Sequence, residues 1–100
     1  MFDKMKQVME MQKKAKEVQK ALEEVRVEKL SPGGKIRVVM NGNFRVVELG
    51  IDESVFTPAQ KKSVEESLVK LLTDACQDVQ RASAAQAMDL MKGMKLPGLG

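Results

Sequence analysis

The stretch RVVMNGNFRVVELGID, residues 37–52, decides how the chain folds. Val, Met and Leu alternate with polar residues on either side of Asn41-Gly42, a dipeptide that tolerates the positive φ angles of a tight type I′ turn, so the segment reads as a β-hairpin. A two-residue turn there predicts that Met40 pairs with Asn43, Ile36 with Val47 and Lys35 with Glu48. One face of the hairpin then carries Ile36, Val38, Met40, Val47, Leu49 and Ile51. The other carries Val39, Phe44 and Val46 beside Arg37, which leaves apolar side chains on both sides. A hairpin alone is marginal in water, so each face needs cover. The expected cover is helix on one side, and the side of Val39, Phe44 and Val46 calls for cover of its own.

Upstream, Val8, Met11, Ala15, Val18, Leu22 and Val25 follow a heptad spacing, which predicts a helix from Phe2 to about Glu24 packed lengthwise against another. The period changes at Val25, where VRVEKL begins a first strand that ends at the Ser31-Pro32-Gly33-Gly34 turn. Downstream, Thr57 stands as a predicted N-cap, with Pro58 at the first helical position and Gln60 completing an approximate capping box. Val64, Leu68, Leu71, Leu72, Ala75, Val79 and Ala82 keep helical period from there, and good helix formers continue to about Met91. An unbroken helix of that extent measures about 50 Å, longer than so small a hairpin can cover. The expected fold is α+β: an N-terminal helix, a three-stranded antiparallel sheet and a long C-terminal helix. Residues 1–92 form a single domain in this reading, and 93–100, GMKLPGLG from Gly93 on, a flexible tail.

Composition narrows the chemistry. One hundred residues with 43% hydrophobic content make one small domain that gains from association. The formal charge of +3 and a pI near 9.1 lean basic, which suits an anionic partner. There is no histidine, so the commonest general base and metal ligand is absent. Cys76 falls at an apolar position of the second helix and reads as a small buried hydrophobe in a reducing compartment. No phosphate-cradling glycine loop or nucleophile motif occurs. No enzyme, metal, cofactor or small-molecule substrate is expected. Nor is a membrane span or secretory signal, since charge interrupts the apolar residues of the N-terminus; a cytoplasmic protein is the expectation. Three phenylalanines without Trp or Tyr supply no stacking platform for single strands.

The lysines of the first helix fall into two groups. Asp3, Lys6, Glu10, Lys13, Glu17, Lys20 and Glu24 alternate in sign along one column and predict a ladder of salt bridges. Lys4, Lys14 and Lys16 lie off that column and are the expected phosphate contacts, together with Arg81, Lys92 and Lys95 at the far end of the second helix.

MFDKMKQVMEMQKKAKEVQKALEEV, GGKIRVVMNG, VVELGID, LLTDACQDVQRA and GMKLPGLG, in this order and spacing, make the chain resemble the YbaB/EbfC family of bacterial nucleoid-associated, DNA-binding proteins. Thr73 stands where members often have Asn, and Ser31-Pro32 where a glycine-rich run is usual. The resemblance implies a homodimer with a shared central sheet, whose interface would cover Val39, Phe44 and Val46, and paired helices that protrude like tweezers to hold duplex DNA in the nucleoid. Scarce arginine on the helices argues for phosphate contact over base reading. A protein-interaction module, a small helical chaperone or scaffold, is the alternative that the residues leave open, and salt dependence separates the two.

Overall fold

The structure is a computed structural model and describes residues 2–91. Lys92, Lys95 and the 93–100 tail lie outside them. Helix α1 runs Phe2–Glu24, strands β1, β2 and β3 run Val27–Leu30, Ile36–Met40 and Val46–Ile51, and helix α2 runs Lys61–Met91 without a break. The strands form one antiparallel sheet in the order β1-β2-β3, so the expected architecture is the observed one.

The hairpin register differs from the expectation. Ile36 pairs with Ile51, Arg37 with Gly50, Val38 with Leu49 and Val39 with Glu48, and a bulge then sets Met40 opposite Val46. The turn is longer than two residues. Asn41 N–H donates to the Arg45 carbonyl and Phe44 N–H to the Asn41 carbonyl, enclosing Gly42, Asn43 and Phe44 in a three-residue loop whose last member, Phe44, takes φ 62°. This is a type I turn followed by a left-handed residue. The Asn41 side chain favours it by accepting the Asn43 and Arg45 N–H groups at 2.9 and 3.1 Å, an Asx arrangement that a type I′ turn would not allow.

Gly42 is needed for a different reason from the one its turn suggested. Its N–H donates to the Leu22 carbonyl at the end of α1, and a Cβ there would lie 2.5 Å from that oxygen. Ser83 of α2 donates its hydroxyl to the Gly42 carbonyl at 2.9 Å. One glycine therefore joins both helices to the hairpin tip. At the other turn the glycines do act through φ, Gly33 at 85° and Gly34 at 74°, while Ser31 Oγ accepts the Ile36 N–H.

Strand β2 is the centre of the core. Ile36 and Val38 pack with Leu71, flanked by Ile51, Val64 and Leu68, and Met40 packs with Ala75 and Val79, flanked by Val27. The period-2 side of β2 thus meets the 3.6-period stripe of α2. The start of α2 departs from the expected capping box, since Thr57 makes no side-chain cap and Pro58–Gln60 form a separate 3₁₀ turn before Lys61.

Beyond Val79 the second helix leaves the sheet. There it meets α1, of which no described residue is buried. Val18, Leu22 and Val25 are half-buried, whereas Val8 and Met11 are 53% and 61% exposed, so the heptad seam is covered only near the body. The molecule extends 67 × 21 × 16 Å: a small sheet with a helical arm.

Candidate nucleic-acid interface

Positive charge gathers on the outer part of α1. Between residues 3 and 20 the helix carries six lysines and three carboxylates, and Glu23 and Glu24 at its inner end bring the whole of α1 to an excess of one. The expected ladder does not close: none of Lys6, Lys13 and Lys20 has a carboxylate within ion-pair distance among the described residues, and the single pair on α1 is Lys14 to Glu17 at 3.4 Å. Side-chain entropy on an exposed helix opposes holding two long chains in one geometry, and these lysines stay directed at solvent.

Lys4 and Lys16 are exposed, and neither makes an ion pair among the described residues. They point different ways: at about 100° per residue Lys4 continues the line of Val8, Met11 and Val18, while Lys16 lies roughly opposite Val18. Lys14 flanks the seam and is occupied by Glu17. Arg81 is exposed and reaches Asp78 at 3.9 Å. Exposed lysines therefore lie around the circumference of the outer part of α1, and Lys6, Lys13 and Lys20 lack the ladder partners expected of them among the described residues.

Val39, Phe44 and Val46 do not come together. Val39 is buried within its own chain, between its strand neighbours Glu28 and Glu48; both carboxylates accept from Arg37, at 2.7 and 2.8 Å. These bonds hold the already basic Arg37 guanidinium further toward its charged form, with the Glu28 bond the larger cause. Phe44 sits in the hairpin loop, 53% exposed. The bulge turns Val46 to the same side as Met40 and puts Val47 beside Val39 instead.

An apolar stripe that the sequence reading distributed to the core remains uncovered. Leu49, directly opposite Val38, is 56% exposed, and Val46 is also exposed. Helix α2 lies toward β1, where Lys29 reaches Asp78 at 2.6 Å and where Glu28, Leu30, Ser63, Ser67, Lys70 and Asp74 line a common groove. Helical spacing puts Val69 and Leu72 on the opposite flank, beside β3, and both are exposed. Val46, Leu49, Val69 and Leu72 thus lie along the open edge of the sheet. The signal for this was the run SLVKLL, which is apolar across a wider arc than one sheet face can cover.

The arrangement defines a small α+β protein with a lysine-rich stretch on a projecting helical arm. No helix among the described residues is long and apolar enough to cross a membrane. The chain belongs to the YbaB/EbfC DNA-binding family, whose model matches residues 1–94. It is similar to nucleoid-associated proteins from Afipia carboxidovorans, 32% identical over 96% of this chain and 91% of that one, and from Rhodopseudomonas palustris strain BisA53, 36% identical over 96% and 92%. An uncharacterized protein of Helicobacter pylori, whose crystal structure is known, has the same fold with a TM-score of 0.65 at 23% identity, over 83% of this chain and 96% of that one.

Proposed function

We propose that this chain is a nucleoid-associated protein of the bacterial cytoplasm that binds double-stranded DNA as a homodimer, without enzymatic activity. Two copies join along the β3 edge, where Val46, Leu49, Val69 and Leu72 supply the apolar contact and the unpaired strand supplies backbone groups. The sheets then form one central body, and two arms project from it to hold a duplex by phosphate contacts from the lysines of α1, Arg81 and, in the segment beyond the described residues, Lys92 and Lys95. Such binding serves nucleoid organisation or gene regulation.

The observation that carries this reading is the excess of uncommitted lysine on an arm that the sheet does not need for its core. Lysines are flexible point charges, suited to a phosphate backbone and poorly suited to bidentate base reading, so unrelated duplexes should bind within about tenfold of each other, roughly 1.4 kcal/mol.

A mobility-shift titration over a salt series, paired with light scattering, tests both parts. Affinity should fall linearly with log salt, at a slope of about −0.9 for each phosphate neutralised, and the protein should scatter as a dimer that Leu49→Asp converts to monomer. A salt-independent affinity would favour the protein-interaction reading instead. A stable monomer of the unmodified chain at micromolar concentration would remove the dimer.

A further inference from the structure

Phe44 combines two features that together call for an explanation. It is the one non-glycine residue among those described with positive φ, at 62°, and as a residue it is more than half exposed, so neither backbone preference nor burial accounts for an aromatic residue there. The loop is held firmly: Asn41 Oδ1 accepts two N–H groups from it, and Gly42 is tied to Leu22 of α1 and Ser83 of α2. Surroundings that fix a residue in a sparsely populated conformation are a pointer to function.

Position says what the ring meets. Helix α2 passes over the sheet from Val64, near Ile36, to Val79, near Met40, and reaches the hairpin tip at Ser83, where α1 also ends. Both arm helices leave the body at this tip, so Asn43, Phe44 and Arg45 lie at the end of the body from which the arm projects. All three are exposed, and Arg45 has no ion-pair partner among the described residues. Asn, Arg and an apolar wedge are the set with which proteins enter the minor groove and part a base step.

We infer that the hairpin tip is the floor on which the duplex rests, with Phe44 as an apolar wedge into the minor groove and Asn43 and Arg45 contacting the groove edges, so that binding bends the DNA. The inference rests on the duplex-binding reading above. A duplex of about 30 base pairs, carrying donor and acceptor dyes at its ends, reports the bend by energy transfer, while light scattering follows the dimer.

The unmodified protein should bring the ends together. Phe44→Gly, which removes the ring and suits the left-handed backbone, should fold, remain dimeric, bind about tenfold more weakly and leave the duplex straight. Phe44→Leu, still a wedge, should keep most of the bend. Binding without a bend by the unmodified protein, or an unchanged bend and affinity in Phe44→Gly, would overturn this inference alone. A monomeric Phe44→Gly would also overturn it, by assigning the ring to a contact between copies. Absence of duplex binding by the unmodified protein would overturn both this inference and the proposed function.

Discussion

Gly42 shows how much can depend on one missing carbon. The Leu22 carbonyl is among the last acceptors of α1, where no N–H within the helix remains to pair with it; it accepts the Val25 N–H just past the helix end, at 3.2 Å, and the Gly42 N–H, at 2.8 Å. Any side chain at this position must displace a backbone oxygen, which cannot rotate away as a side chain can. Gly42→Ala should therefore destabilise the fold by about 1–3 kcal/mol, the usual cost of overpacking, seen as a lower urea midpoint. The loss should be concentrated at the arm, with faster hydrogen exchange at the C-terminal turns of α1 than in β2. Equal loss of protection throughout would mean that the glycine supports the whole domain and is not a joint. The sequence made Gly42 legible as a special residue but attached the wrong cause to it. Asn-Gly fits both a type I′ turn and a type I turn with a left-handed third residue, and Phe44 does not advertise a positive φ. Close approach between segments distant in sequence leaves no local mark.

Among the elements, β1 and α2 are joined by a contact that periodicity does not reveal. Lys29 pairs with Val38 in the sheet and so points toward the helix, where alternation alone would place an apolar residue. Its ammonium reaches Asp78 while both side chains remain about one-third exposed. The hydrogen bond from Lys29 is the largest cause of a carboxyl pKa below the ordinary aspartate range, with the charges of Lys29 and Arg81 acting the same way against partial desolvation. A depressed folded pKa stabilises the native state above the unfolded value of about 3.9 and withdraws that support as pH falls through the folded value. Asp78→Asn should accordingly be less stable than the unmodified chain at neutral pH, and the difference in urea midpoint should shrink below about pH 4. A difference that persists unchanged in acid would assign the effect to packing. The elements themselves were legible because each has a strong local signal: a heptad line for α1, β-rich alternation for β2 and β3, and a long 3.6-residue period for α2. Register was not. A one-residue bulge carries Val46 across the sheet without altering composition, and it separates Val46 from Val39 in a way that alternation could not anticipate.

At the scale of the whole molecule, the arm holds lysines away from the sheet, and the proposed function turns on which of them a phosphate backbone would meet. Helix α1 carries Lys14 and Lys16 two residues apart, yet Lys14 is engaged by Glu17 and Lys16 has no carboxylate three or four positions away. To contact phosphate, Lys14 must release a partner that stays nearby and repels the same phosphate, whereas Lys16 needs only to shed counterions and water. Lys16→Gln should therefore weaken duplex binding and lower the salt slope by about 1, with little change in folding. Lys14→Gln removes the same formal charge but frees Glu17, so it should lower helix stability by about 0.2–0.5 kcal/mol and change the salt slope less. Lys13→Gln extends the comparison: Lys13 was expected to be committed to the column, but it lacks an ion pair among the described residues, so it should behave like Lys16. Each variant must be compared as a folded dimer on one duplex over one salt series, because a monomer would halve the number of arms as well as their charge. If Lys13, Lys14 and Lys16 give equal slopes, net charge on the arm governs binding and local pairing does not. If Lys14 alone alters the slope, the flank of the seam faces the duplex, and the direction in which the arm presents itself must be reassigned.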